Sequence, residues 1–216
     1  MEAFTTLRAV AAPLMRDNVN TDVIIRIEHL FSRRSPDELG GVCFESWRFL
    51  PDGTENPDFV FNQPPYRSAK ILLAGHNFAC GSSREGAVTA LMGMGIRCVI
   101  ASSFGDIFFN NCFQNGLLPV VLSSASIDQI VAQERKAPGQ HPLEVDLYRQ
   151  VVSMGDGAEF SFAIPALRRA AMLAGLDEIR QTLTREASIA SFQTADKLRR
   201  PWIYGLTHPN LTNSSP

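Results

Sequence analysis

Residues 69–104 hold the feature that most narrows the fold: an apolar run, a polar turn of small residues, a helix-patterned stretch and a second apolar run. "KILLAG" (70–75) is a continuous apolar run, "SREGAVTALMGMG" (83–95) has helical patterning and stops at glycines, and "RCVIASSF" (97–104) is the second run. A strand–helix–strand unit of this length requires parallel strands and a right-handed crossover. The chain is therefore expected to be α/β.

The flanking segments add strands and helices around that unit. "FTTLRAVAAPLM" (4–15) predicts one or two strands broken at Pro13, and "RDNVNTDVIIRIEHLF" (16–31) a polar turn running into a short strand at Val23–Ile25. Residues 32–58 carry many breakers and charges, which predicts a functional or mobile stretch without regular structure. The aromatic islands "CFESWRF" (43–49) and "DFVFNQPPY" (58–66) are expected to pin it down. "GDIFFNNCFQNG" (105–116) reads as a short helix closed by Gly116, "LLPVVL" (117–122) as a strand, and "SIDQIVAQERKA" (126–137) as an amphipathic helix. "LEVDLYRQVVSM" (143–154) and "AEFSFAI" (158–164) alternate and are joined through "GDG", a hairpin signal. Residues 165–197 read as helical, starting near Pro165. The expected architecture is a mixed sheet with flanking helices over 1–164, with a mobile loop near 27–58, followed by a helical extension and tail over 165–216.

Composition excludes several function classes. A formal charge of −2 gives no electrostatic case for nucleic acid or an anionic membrane. No apolar run approaches the ~20 residues of a membrane span, and the N-terminus lacks a signal-peptide pattern, so a cytoplasmic location is expected. Cys43, Cys80, Cys98 and Cys112 form no C-x-x-C pair and no zinc or iron–sulfur set, and they read as reduced thiols.

The turn "NFACGSSREGA" (77–87) carries the chemistry. Backbone N–H groups at a helix start form an anion site, Ser82 and Ser83 add hydroxyls, and Arg84 adds a fork that matches a carboxylate. Ala79 and Gly81 let a ligand approach the backbone. The plain structural alternative is a serine helix cap beside an exposed Arg84 and Glu85. The turn is not a Walker A loop, a G-x-S-x-G elbow or a G-x-G-x-x-G fingerprint.

"GHNFACGSSREGA", "DNVNTDVII", "NPDFVFNQP", "FGDIFFNNCFQNGLLPV" and "RPWIYGL" follow one another in the order seen in the 3-isopropylmalate dehydratase small subunits, relatives of aconitase, and the chain resembles that family over nearly its whole length. The resemblance implies a swivelling β/β/α domain that closes over a separate large subunit. That partner would carry a [4Fe–4S] cluster, with no cofactor or metal bound by this chain. The implied reaction dehydrates 2-isopropylmalate and rehydrates it to 3-isopropylmalate, in leucine biosynthesis. Rival readings are a hydro-lyase subunit for methylmalate, citraconate or dimethylmalate, and a non-catalytic module that closes over a partner.

By position in the motif, Ser82 resembles the family's catalytic base, with Ser83, Arg84 and Gly81 binding the substrate carboxylate. Asp22 matches the family's acidic residue facing the site, where it would orient a partner histidine or a water; otherwise it is a turn former. Arg26 either holds substrate or faces solvent. Arg33, Arg34, His29, His141 and His208 read as surface residues, His76 as a neighbour of the turn, and Asp106, Asn110 and Asn111 as cap and packing residues. The chain departs from the family's usual pattern at Asn20, normally acidic, at Ala79, normally glycine, and at Gly86, normally histidine.

Overall fold

The computed structural model describes residues 1–31, 35–82 and 84–205. Of the positions singled out above, Arg33, Arg34, Ser83 and His208 lie outside the described residues. Two compact units divide the chain, Met1–Asp177 and Glu178–Pro216.

The first unit holds two four-stranded sheets. One is parallel, built from β1's successor: β1 spans Thr6–Ala9, and β2 (Ala11–Leu14), β3 (Ile71–Ala74), β4 (Cys98–Ala101) and β5 (Leu118–Val121) lie side by side in that order. The other is antiparallel, β1 pairing with β6 (Leu143–Asp146), then β7 (Val151–Ser153) and β8 (Glu159–Ser161). The α/β class holds, but the expected mixed sheet is two sheets, because the parallel strands are joined by helical crossovers and the antiparallel ones by a hairpin and β1. Pro13 sits within β2, at the edge of the parallel sheet, where its missing N–H leaves no central ladder bond unmade.

Why β3 and β4 are apolar throughout follows from what covers them. Leu72, Ala74, Val99 and Ala101 face one core, with Ala87, Val88 and Leu91 of α5 (Glu85–Gly93). Ile71, Leu73, Cys98 and Ile100 face a second core, with Val145 and Val152 of the antiparallel sheet and Ile127 and Ile130 of α7 (Ser124–Lys136). A parallel sheet buried on both faces demands such runs. α6 (Asp106–Asn115) ends at Gly116 in left-handed conformation, φ 87°. α8 (Ala166–Ala174) belongs to this unit, burying Met172 in the second core, and ends at left-handed Gly175. The expected hairpin forms at 155–157, where Met154 N–H donates to the Ala158 carbonyl at 2.9 Å.

Two expectations are corrected. Val23–Ile25 is no strand; α1 (Thr21–Ile24) is a one-turn helix capped by Asn20, whose Oδ1 accepts the Val23 N–H at 2.9 Å. The cap and the burial of Ile24 and Ile25 outweigh the β-branched run. Nor is the described part of 27–58 without structure: it forms α2 (Ile27–Leu30), α3 (Pro36–Gly41) and α4 (Glu45–Arg48). α3 starts with a full capping box, Ser35 Oγ accepting from Glu38 N–H and Glu38 Oε2 from Ser35 N–H. It lies directly on α5: a Cβ added at Gly40 would collide with the Gly93 carbonyl carbon, and one at Gly93 with the Pro36 carbonyl. Phe44, fully buried, stacks on Trp47 and Phe61 and tilts against Phe59, so the aromatic islands do pin the segment.

The second unit holds two short helices, α9 (Glu178–Leu183) and α11 (Pro201–Tyr204), and between them the 14-residue α10 (Glu186–Arg199). Asp196 accepts from Arg200 Nε at 2.7 Å and from Tyr204 Oη at 3.0 Å, which holds its carboxyl below the usual range. No helix among the described residues is long and apolar enough to cross a membrane.

Candidate active site

The turn after β3 runs as a narrow ribbon between two other backbone segments. On one side Cys80 N–H donates to the Val19 carbonyl at 3.2 Å and Thr21 N–H to the Cys80 carbonyl at 3.0 Å. On the other, Phe78 N–H donates to the Ser103 carbonyl at 3.0 Å and Gly105 N–H to the Phe78 carbonyl at 2.9 Å. Glycine is required at 105, because a Cβ there would stand 2.5 Å from the Ala79 carbonyl oxygen. The turn thus lies at the carboxyl end of the parallel sheet, held by the extensions of its neighbours on both flanks. Open α/β sheets bind ligands outside that end.

This ribbon presents Gly81 and Ser82 to solvent. Thr21, itself buried, donates its hydroxyl hydrogen to the Ser82 carbonyl at 3.0 Å, fixing the peptide that carries the serine. Arg84 follows as the N-cap of α5, and its side chain makes no cap bond. It is not the exposed arginine of the plain cap reading: the side chain is 11% exposed, forms an ion pair with Asp22, and donates from Nη1 to the Ile25 carbonyl at 3.1 Å. Asp22 reaches it from the first turn of α1, so the helix that replaces the expected strand is what places the carboxylate. Beside the turn a cavity of about 320 Å³ is walled by Asn77, Cys80, Gly81 and Ser82 on one side and by Gly105, Asp106 and Phe108 on the other.

Four sequence-predicted residues are therefore brought together: Asp22, Gly81, Ser82 and Arg84. Arg26 is turned to other partners, Glu28 Oε1 at 3.4 Å and Glu45 Oε2 at 3.8 Å. His29 is not the surface residue expected: its side chain is largely shielded and its Nε2 lies 2.8 Å from the same Glu45 oxygen. The Glu28 carboxyl is held below its ordinary value by its own backbone N–H and by Arg26. His76 borders the turn with Nδ1 2.8 Å from Ser103 Oγ, and Asn110 Oδ1 accepts from Arg168 at 2.6 Å. Three residues that carry the site were missed in the sequence: Thr21, Ser103 and Gly105. The one available signal was the polar "SSFG" (102–105) closing the second apolar run, at the place where a parallel neighbour must flank the turn.

Among the described residues, no group of three or more His, Cys, Asp or Glu stands close enough to hold a metal ion. Cys43, Cys98 and Cys112 are buried, and burial pushes each thiol up, away from the thiolate a metal needs.

This parallel sheet with a Ser–Arg turn at its carboxyl end defines a class, and residues 1–125 match the aconitase C-terminal domain family. The small subunit of 3-isopropylmalate dehydratase from Paramagnetospirillum magneticum is 49% identical over 203 residues, covering 94% of this chain and 100% of that protein. The one from Gluconacetobacter diazotrophicus is 50% identical over 202 residues, covering 94% of this chain and 97% of that protein. A crystal structure of 3-isopropylmalate dehydratase from Methanocaldococcus jannaschii shares the fold, with TM-score 0.62 at 24% identity over 86% of this chain and 98% of that one. The chain belongs to the family of 3-isopropylmalate dehydratase small subunits.

Proposed function

We propose that this chain works with a large subunit to interconvert 2-isopropylmalate and 3-isopropylmalate by dehydration and rehydration, a step of leucine biosynthesis. The observation that carries the reading is the pairing, in one turn, of an exposed Ser82 with a shielded Arg84 guanidinium. Dehydration removes a proton from the carbon next to a carboxylate, so the site needs a positioned base and donors for the charge that builds up. Ser82 is the base. Its oxyanion is stabilised by backbone N–H groups of the turn and by the positive end of α5, and Arg84 binds the substrate carboxylate with Ser83. Gly81 leaves room for the dicarboxylate to approach the backbone, and Arg26, paired with Glu28 and Glu45, joins the site only on release from those carboxylates. Asp22 holds the guanidinium in place before substrate arrives.

The [4Fe–4S] cluster belongs to the partner in this reading, since three of this chain's four cysteines are buried, raised thiols and the fourth stands alone in the turn. When bound there, a cluster with an open iron supplies Lewis-acid polarisation of the departing hydroxyl.

The test is anaerobic reconstitution with the organism's large subunit, offering 2-isopropylmalate beside citraconate and dimethylmaleate. Turnover of isopropylmalate is expected to dominate. Ser82→Ala is expected to lower kcat by about 10²–10⁴-fold, the usual contribution of a positioned acid–base group. A Ser82→Ala enzyme with wild-type turnover would reduce the chain to a closing module, and preference for a smaller acid would reassign the substrate.

A further inference from the structure

The ribbon that ends at Ser82 is not a relaxed backbone. Asn77, Ala79 and Gly81 alternate into the left-handed region with φ of 54°, 55° and 95°. A residue with a Cβ adopts that conformation at a cost, and keeps it only where its surroundings over-determine it. Pairing with 19–21 and 103–105 fixes Phe78 and Cys80; at the entry, the Asn18 N–H donates to the His76 carbonyl at 2.8 Å, and a separate set of side chains holds the His76 and Asn77 amides.

Ser103, two residues beyond β4, provides the main tie. Its Oγ accepts the Asn77 N–H at 2.8 Å and lies 2.8 Å from His76 Nδ1. One hydroxyl can serve both, a lone pair taking the amide and its own hydrogen going to the imidazole. From the end of β2, Asp17 Oδ1 accepts the His76 N–H at 2.6 Å, and Asn18 Oδ1 accepts from Asn77 Nδ2 at 2.9 Å. The ends of β2 and β4 thus grip the same two residues from opposite sides. Gly75 permits this, since a Cβ there would stand 2.5 Å from the Arg16 carbonyl oxygen.

We propose that Ser103 is a positioning residue for the reaction, its hydroxyl holding the left-handed Asn77 peptide and the His76 ring and, through them, the place of Ser82. The inference rests on Ser82 being the reacting group, as proposed above. Ser103 does not line the cavity beside the turn; it acts through the register of the ribbon, and a displacement near 1 Å at a reacting group is enough to lower turnover by about two orders of magnitude.

The experiment uses the reconstituted two-subunit enzyme with 2-isopropylmalate, and the small chain alone for amide exchange. Ser103→Ala is expected to lower kcat about 10–100-fold while KM moves by less than about threefold. Ser103→Thr, which returns the hydroxyl, is expected to recover most of the loss. In the isolated chain, exchange of the Asn77 amide is expected to rise by about tenfold or more in Ser103→Ala and to stay near wild type in Ser103→Thr. Unchanged kcat in Ser103→Ala overturns the proposal. So does a loss that Ser103→Thr does not restore and that tracks a lower melting temperature, because that is a fold effect. If Ser103→Ala does not fold, Ser103→Cys, close in volume but a weak hydrogen-bonding partner, is read in the same way. A wild-type complex that fails to turn over isopropylmalate counts against the functional reading, and Asn77 exchange alone then decides the positioning role.

Discussion

At the scale of single residues, Arg84 is held in a fixed orientation. Its guanidinium is shielded, charge-paired with Asp22 and tied to the Ile25 carbonyl, so on the proposed function the fork is oriented before a carboxylate competes for it. The cysteines make an opposite case, of groups kept out of the chemistry. Cys43, Cys98 and Cys112 are buried with thiols pushed up, Cys112 further by its neighbour Cys98, whereas Cys80 is half-buried and lines the cavity. Thiol reagents attack the thiolate, so a reagent applied to the folded chain at about pH 8 is expected to modify Cys80 alone, the others reacting only on unfolding. Peptide mapping of the labelled chain checks this, and a second fast thiol would contradict the burial. That Asp22, Gly81, Ser82 and Arg84 lie together was legible in the sequence because they stand in two short contiguous motifs that the family resemblance joins. Thr21, Ser103 and Gly105 were not, since their role is a bond to a backbone 61, 26 or 27 residues away: Thr21 to Ser82, Ser103 to Asn77 and Gly105 to Phe78.

Between elements, glycines decide how closely the site helix can be covered. α5 carries Gly86 in its first turn and Gly93 at its end, and each faces a different neighbour. A Cβ at Gly93 would strike the Pro36 carbonyl of α3, which is backbone and cannot turn aside. At Gly86 it would strike the end of the Leu30 side chain, which can rotate. In a free helix Gly→Ala stabilises by about 1 kcal/mol, so the sign is diagnostic. Gly93→Ala is expected to destabilise by about 1–3 kcal/mol, the usual range for overpacking. Gly86→Ala is expected to stay within about 1 kcal/mol of wild type, helix propensity offsetting the shift of Leu30. Urea denaturation of both variants checks this; a stabilising Gly93→Ala would mean that α3 does not rest on α5. The strands and the longer helices were readable because periodicity and glycine stops act locally. α1 and α3 were not: Asn20 capping overrode a β-branched run, and a Gly40–Gly93 contact gave regular structure to a stretch full of breakers.

At the scale of the whole molecule, the described residues bring the exposed Gly81–Ser82 turn and the Arg84–Asp22 pair to an open surface, which the proposed function reads as one half of a reaction site. The first unit stacks an antiparallel sheet, a parallel sheet and helices, and delivers the Ser82 turn to the exposed carboxyl edge of the middle layer. Among the described residues the two arginines near the turn are already charge-paired, Arg84 with Asp22 and Arg26 with Glu28 and Glu45. On the proposed reading, a ligand carboxylate exchanges with Asp22 and gains little until a partner adds further contacts. The isolated chain is therefore expected to bind 3-isopropylmalate with a Kd of about 10 mM or weaker. At a ligand concentration near 1 mM, linkage then adds only about 0.06 kcal/mol, a melting shift of about 0.2 °C. The reconstituted complex, whose site is complete, is expected to show a clear and saturable shift at the same concentration. Thermal melts of the free chain and of the complex, with and without the acid, check the pair of expectations. A saturable shift of several degrees in the free chain would mean that Asp22 yields Arg84 without help, and that recognition of the acid is finished within this one chain.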